Sequence, residues 1–335
     1  MGRQVNFKIG IIGCGLIGKK RSQSLGLKGK LIACADPDID RAKKIASSKE
    51  IKVFKDWKKL LEVKEIDIVI IATPHNQLFK IIIQAYKMKK HILVEKPGSK
   101  NLKEMIKIIS KVKNSKIKIK VGFNHRYHPS IIKAKKIIKS GIIGKPMYLR
   151  ARYGHGGRPR YEKEWRAKPS ISGGGELIDQ GSHLIDLSRL FLGEFSEVTG
   201  FINTYFWKMS VEDNAFLTLK TNSNKIAFLH VSWTEWKNMF SFEIFCSHGK
   251  LDINGMGGSY GQEQLTLYKM SKKMGIPKQR KWRFKLKDIS WKTEINDFYD
   301  DIIYNRKPKV NLNDAYQNLK IINKIYKNSK YDYIT

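Results

Sequence analysis

Between Phe7 and Phe123 short apolar, β-branched runs alternate with helical patterns, and that alternation restricts the chain to βαβ units with a parallel sheet. The runs Phe7–Ile12, Leu31–Ala35, Ile51–Phe54, Ile66–Ala72, Ile92–Val94 and Ile117–Phe123 predict strands. Helical patterns fall between them at Leu16–Leu27, from Ile39 onward, and at Trp57–Leu61, His75–Lys89 and Leu102–Val112. Asp36-Pro37-Asp38 reads as a turn that caps the helix starting near Ile39. Ile66–Ala72 is apolar throughout, as a central parallel strand buried on both faces must be. A doubly wound parallel sheet is the expected product.

The texture changes after Asn124. A helix at Ser130–Lys139, a turn at Gly141–Pro146 and a strand at Met147–Tyr153 lead into a polar, glycine-rich loop, Gly154–Gly175, and a helix at Leu177–Leu192. Strand signals then follow at Val198–Phe206, Ala215–Leu219, Ile226–Trp233, Phe240–Phe245, Lys250–Ile253 and Gln264–Tyr268. Short turns separate several of them, which predicts an antiparallel sheet with helices on one face, an α+β domain. Helical patterns at Trp291–Asn305 and Leu312–Lys327 close the chain. With 335 residues, more than the ~250–300 that one core usually supports, two domains are expected: 1–123, and 124–335 with its last helices free to pack on the first. Trp233, Trp236, Phe240, Phe242 and Phe245 are too aromatic for a solvated sheet face. Core packing and self-association both fit, and the second predicts a homodimer or homotetramer through the C-terminal sheet.

The chain carries 65 Lys and Arg against 30 Asp and Glu, a formal charge of +35. Lysines are spread along its whole length, as at Lys103, Lys107, Lys111 and Lys113, where the spacing fits the solvent face of one helix. No helix-turn-helix, zinc finger or aromatic RNA-binding signature accompanies them, so no specific nucleic-acid partner is expected. Cys14, Cys34 and Cys246 have no paired spacing, which excludes a disulfide framework or Cys-based zinc site and fits the cytoplasm. No membrane span is expected, and Asn6 breaks the myristoylation pattern that Met1-Gly2 would open. His75, His91, His128, His155, His230 and His248 have no metal-ligand spacing, so no metal is expected.

Gly13-Cys14-Gly15-Leu16-Ile17-Gly18 follows the first strand and opens a helix. In that context the pattern is a dinucleotide fingerprint of a Rossmann domain: glycines permit a tight turn and close approach of a pyrophosphate to the helix start. Asp36, at the end of the second strand, suits the ribose hydroxyls and repels a 2′-phosphate, favouring NAD over NADP. Arg41 lies nearby, and an arginine can receive such a phosphate. Thr73, Pro74 and Asn76 follow one central strand, and Glu95-Lys96-Pro97 the next, at the carboxyl edge where ligands bind. Pro97 is a candidate for a cis bond. Asp179 and His183, four apart after Gly173-Gly174-Gly175, share one helix face. A histidine there suits proton removal from an alcohol near neutrality, and a lysine near the same oxygen polarises it.

Together these segments resemble the glucose–fructose oxidoreductase / inositol dehydrogenase / MocA family over essentially the whole chain. The resemblance implies a hydride transferred between NAD(H) and a secondary alcohol or ketone of a sugar-like substrate. It implies a catalytic group of Lys96, Asp179 and His183, with His183 as acid/base, Lys96 as its electrostatic partner and Asp179 as the orienting carboxylate. Whether Lys96 or His183 is the principal acid/base stays open. Gly13, Gly15, Leu16, Ile17, Gly18, Asp36, Thr73, Pro74, Asn76, Glu95 and Lys96 are the expected cofactor residues. Five of the 13 arginines (150, 152, 158, 160 and 166) crowd 17 positions together with Tyr153, Tyr161 and Trp165. That clustering points to an anionic sugar: a nucleotide sugar, a uronate or a sugar phosphate. Pairing of those arginines with local acids such as Glu162 and Glu164 is the competing reading. Asn124, Arg126, Tyr153, Trp165 and Arg166, with Asp179 and His183, are the expected substrate residues. Two other functions fit the same features: an NAD-sensing regulator without turnover, and an NAD-dependent glycosidase.

Overall fold

The computed structural model describes residues 6–46, 48, 50–112, 116–271, 273, 275–329 and 331. Met1, Gly2 and Lys113, singled out above, lie outside the described residues. The chain divides into two compact units, 1–123 with 291–317 and 124–290 with 318–335.

The first unit holds six parallel strands: β1 (Phe7–Ile12), β2 (Gly29–Ala35), β3 (Lys52–Phe54), β4 (Ile68–Ile71), β5 (His91–Glu95) and β6 (Ile119–Gly122). Their order is β3-β2-β1-β4-β5-β6, so the direction of winding reverses between β1 and β4. In an open α/β sheet, ligands bind outside the carboxyl ends of the strands at such a point. β4 is wholly buried, as its unbroken Ile-Val-Ile-Ile run requires. Asp38 caps the helix Ile39–Ile45 through its carboxylate, as the sequence predicts.

Residues 291–317 group with this unit because side chains of the helix Ser290–Ile303 complete its core and its charge pairing. Ile295, Phe298 and Tyr299 pack among Phe7, Ile9, Ile68 and Leu93, and the Tyr299 hydroxyl donates to the Leu25 carbonyl. The buried Arg21 guanidinium donates to Glu95 at 2.7 Å and pairs with Glu294, and its guanidinium carbon lies 4.5 Å from the Trp291 ring centre. Lys120, fully buried on β6, holds Asp297 at 2.6 Å and Asp301 at 3.1 Å. Each of these pairs joins positions far apart in the chain, so the single boundary at 123 read from local patterns becomes a discontinuous unit.

The second unit holds β7 (Pro146–Gly154), β8 (Glu197–Asn203), β9 (Asn214–Lys220), β10 (Ile226–Ser232), β11 (Met239–Cys246), β12 (Gly249–Asn254), β13 (Gln264–Lys269) and β14 (Lys278–Arg283). They form one sheet in the order β14-β13-β12-β11-β7-β10-β9-β8, antiparallel except for the β7–β10 pair. β14 gave no signal in the sequence because Lys-Gln-Arg-Lys-Trp-Arg has no apolar alternation; its exposed charges suit an edge strand. β8 ends at Asn203, short of the predicted Phe206, where the Asp213 carboxylate accepts from the amides of Tyr205, Phe206 and Trp207.

Alternation along β7 sends Leu149, Ala151 and Tyr153 inward and Tyr148, Arg150 and Arg152 outward. On the inner side lies the helix Ser182–Leu192, buried almost all round. Trp233, Phe240 and Phe242 belong to this buried side, so core packing explains three of the five aromatics singled out above. The outer face keeps exposed rings, Phe201 at 80% and Phe228 at 52%, beside a stacked Tyr148–Phe245 pair. Among the described residues no helix is long and apolar enough to cross a membrane, and the three cysteines are free thiols.

Candidate functional site

The glycine motif sits at the carboxyl end of β1, beside the segment that leaves β4. Gly13 has a φ of +91°, and a Cβ there would stand 2.4 Å from the Ala72 carbonyl oxygen. A Cβ on Gly18 would stand 1.9 Å from the Gly13 oxygen. These two glycines are required by the turn itself. Gly15 is different, since a Cβ there meets nothing within 4 Å. It faces open space at the start of the helix Leu16–Gln23, where no side chain caps the exposed amides. Leu16 is exposed and Ile17 half-buried.

Asp36 lies beside this turn, its carboxylate accepting from the Cys14 amide at 2.7 Å and the Asp38 amide at 2.9 Å. Arg41 is paired with Asp38 at 3.0 Å, so the only arginine near the motif on the second helix already faces a carboxylate. The Thr73 hydroxyl is buried and has no hydrogen-bond partner among the described residues. An open glycine, uncapped amides, a fixed carboxylate and an orphaned hydroxyl are what a dinucleotide needs, and the residues present fit NAD. Pro74 precedes the helix His75–Lys87, and Asn76 lies in its first turn. Glu95, expected at the cofactor, has its carboxylate on Arg21 instead, which fixes the strand end just before the half-buried Lys96. The Lys96–Pro97 peptide bond is cis.

In the second unit, Asp179 and His183 are carried by a wide π turn, Leu177–Gly181, that passes into the α-helix Ser182–Leu192. A local π turn inside a helix often marks a functional site. The glycine triplet before it lets other groups close on the backbone: a Cβ on Gly174 would stand 2.0 Å from the Tyr326 hydroxyl, and one on Gly175 2.0 Å from the Glu212 carbonyl. The buried Glu212 carboxylate accepts from the amides of Gly175 and Leu177, each at 3.0 Å, and from the Tyr326 hydroxyl at 2.8 Å. Burial pushes the Glu212 carboxyl up to about 7 against the pull of these donors.

His183 is 6% exposed, with its ring stacked on that of His125 at a centroid distance of 3.7 Å and an interplanar angle of 17°. His125 meets the Tyr153 hydroxyl at 3.2 Å, and the Tyr260 ring lies 4.9 Å from that of Tyr153. Gln180 donates to the Tyr260 hydroxyl at 2.8 Å. Burial raises the pKa of Tyr153 well above the usual phenol value and pushes Tyr260 up to about 12, so both keep their protons near neutrality. Asp179 accepts from Arg166 at 2.9 Å. The result is a buried histidine among hydrogen-bonding rings, in the same unit as a carboxylate held by Arg166.

The structure thus brings Asp179, His183, Tyr153 and Arg166 together and adds His125, Tyr260 and Glu212. His125 lies between Asn124 and Arg126, both expected at the substrate; Tyr260 and Glu212 carried no sequence signal. The other expected substrate residues have structural partners. Arg126 binds Asp186 in a bidentate pair at 2.7 and 2.6 Å, and Asn124 donates to Ser290 at 2.9 Å. Trp165 lies under the Arg166 guanidinium at 4.7 Å. Of the clustered arginines, Arg158 binds Glu164, while Arg150 and Arg152 point to the outer sheet face, away from Tyr153. Local acids and strand alternation, which spacing in sequence does not reveal, disperse the cluster that suggested an anionic ligand. Among the described residues no group of His, Cys, Asp and Glu is arranged to hold a metal.

Residues 7–123 match the sequence profile described as "Oxidoreductase family, NAD-binding Rossmann fold", and residues 131–252 match that of the GFO/IDH/MocA C-terminal domain. Levoglucosan dehydrogenase of Pseudarthrobacter phenanthrenivorans is 32% identical over 216 residues, 60% of this chain and 55% of that protein. Myo-inositol 2-dehydrogenase of Thermotoga maritima is 27% identical over 234 residues, 66% of this chain and 67% of that protein. The matched stretches therefore leave a third or more of each relative uncovered. A solved structure of levoglucosan dehydrogenase in complex with NADH and levoglucosan has the same fold, with a TM-score of 0.87 at 24% identity over 96% of both chains. Two domain profiles in the right order, on the glycine turn and the Asp179–His183 helix just described, establish that the chain belongs to the Gfo/Idh/MocA family of oxidoreductases and has an NAD-binding Rossmann domain.

Proposed function

We propose that the protein is an NAD-dependent dehydrogenase acting on a secondary alcohol of a neutral sugar or cyclic polyol, with Lys96, Asp179 and His183 as its catalytic group. The observation that carries this reading is the burial of His183 among hydrogen-bonding histidine and tyrosine rings, one helical turn after a carboxylate fixed by Arg166. When bound, the nicotinamide supplies the hydride acceptor. His183 takes the hydroxyl proton at its imidazole nitrogen, and Asp179 places negative charge one turn away, where it stabilises the imidazolium. The Lys96 ammonium stabilises charge developing on the substrate oxygen. Glu212 and the glycine triplet hold the start of the helix, so the two catalytic side chains are presented by rigid backbone.

Two features support a neutral substrate over an anionic one. Arg126, Arg158 and Arg166 are occupied by carboxylates of this chain, and the two relatives above are named for levoglucosan and myo-inositol, which are uncharged. The cluster instead offers hydroxyl and imidazole groups suited to polyol hydroxyls. For the outer sheet face, the exposed Phe201 and Phe228 and the Tyr148–Phe245 stack support a second copy of the chain as partner.

Gly15→Ala should leave the melting temperature within about 1 °C, because its Cβ meets open space, yet weaken NADH fluorescence binding at least ~10-fold by filling the pyrophosphate approach. Equal loss of stability and binding would contradict that role. In a panel of sugars followed by NADH absorbance, neutral polyols should be oxidised and uronates or nucleotide sugars should not. His183→Ala should lower kcat at least ~100-fold while NADH still binds. Turnover confined to anionic sugars would reverse the substrate assignment, and NAD binding without turnover on any sugar would favour the sensor. Sedimentation should give a dimer or tetramer that Phe228→Glu dissociates; a monomeric parent protein would rule out the sheet face as an interface.

A further inference from the structure

The stack between His125 and His183 places two imidazoles closer than two cations tolerate. Their centroids are 3.7 Å apart, and both residues are buried, so water does little to screen one ring from the other. Hydrogen bonding also favours a proton on His125. Ser290 donates to Asp288 at 2.6 Å and therefore receives the Asn124 amide NH at 2.9 Å. That orientation turns the Asn124 oxygen toward His125 Nδ1 at 3.2 Å, so Nδ1 carries the hydrogen. Nε2 faces the Tyr153 hydroxyl oxygen at 3.2 Å, so each ring nitrogen of His125 has an oxygen acceptor and a proton added to the pair is held on this ring.

We infer that His125 is a positioning residue that keeps His183 in its neutral, proton-accepting form, because the stacked pair holds at most one positive charge across the working pH range and His125 carries it. The inference deepens the reading of His183 as the acid/base and rests on it. The elements packed around the pair carry further titratable groups. On the helix of His183 they are Glu176, Asp179 bound to Arg166, and Asp186 bound to Arg126. From β7 comes Tyr153, and from the segment after β12 comes Tyr260. His128, 5.5 Å from the His125 ring, is held by Glu263 at 2.9 Å with Asp288 at 4.0 Å. Replacing His125 by an aromatic ring without charge removes what His125 adds to the stack and leaves these groups in the chain.

The test is a pH titration of the full-length protein labelled with 15N-histidine, reading the ring nitrogens of His125 and His183 by NMR. In the unsubstituted protein only one proton should enter the pair between about pH 8 and about pH 5.5. In His125→Phe, which keeps an aromatic ring in the stack, the His183 midpoint should rise by about one pH unit or more. The acid limb of kcat/KM should move up by the same amount, while NADH affinity stays within about twofold. Both rings becoming cationic together near the unperturbed midpoint of about 6.5 would overturn the inference, as would an unchanged His183 midpoint in the variant. If His125→Phe does not fold, the titration of the unsubstituted protein decides alone. Failure of the catalytic reading looks different: His183→Ala would still turn over, whatever the two rings do in the titration.

Discussion

The first unit is organised around one buried guanidinium. Arg21 stands on the helix that the glycine motif opens, Glu95 ends β5 just before Lys96, and Glu294 lies on a helix near the far end of the chain. A buried charge without partners is costly by several kcal/mol, so each of the three segments is held where the other two need it. The Trp291 ring covers the guanidinium. Through this one residue the start of the cofactor helix and the strand end that presents Lys96 share a common anchor. A Cβ at Gly122 would meet the Arg21 guanidinium at 2.6 Å, so even the neighbouring strand is adapted to it.

A buried carboxylate does the corresponding work in the second unit. Glu212 accepts two amides at the start of the Asp179–His183 segment and the hydroxyl of Tyr326 from the last helix. Burial favours its protonated form, so the raised value near 7 means that folding takes up a proton between about pH 4.5 and about 7. Its contribution is complete below the lower value and is lost as pH rises through the upper one. The Asp179–His183 segment is thus held by a carboxyl that burial pushes up to about 7.

The features legible in the sequence are those with a local physical cause. β4 had to be central because Ile68–Ile71 offers no polar face, and the glycine turn had to follow β1 because Gly13 and Gly18 admit no side chain. The spacing of Asp179 and His183 is local too, although the π turn Leu177–Gly181 that carries Asp179 was not legible. Nor were the partners. Arg21 and Glu294 are 273 positions apart and Arg126 and Asp186 are 60 apart, and nothing in a window of neighbouring residues links them. The arginine cluster misled for the same reason: which face of β7 carries Arg150 and Arg152, and whether Glu164 takes Arg158, are settled by packing. Tyr260 reaches His125 through Tyr153, from a loop whose sequence shows no chemical motif.

Isotope transfer reads the proposed reaction, movement of a hydride from a sugar carbon to NAD, directly. The protein would be incubated with NAD and neutral polyols deuterated at their secondary carbinol positions, and the dinucleotide analysed by mass spectrometry. The account predicts NADH carrying one deuterium from at least one polyol, and none with His183→Ala. NAD that binds but acquires no label from any substrate, neutral or anionic, would contradict it.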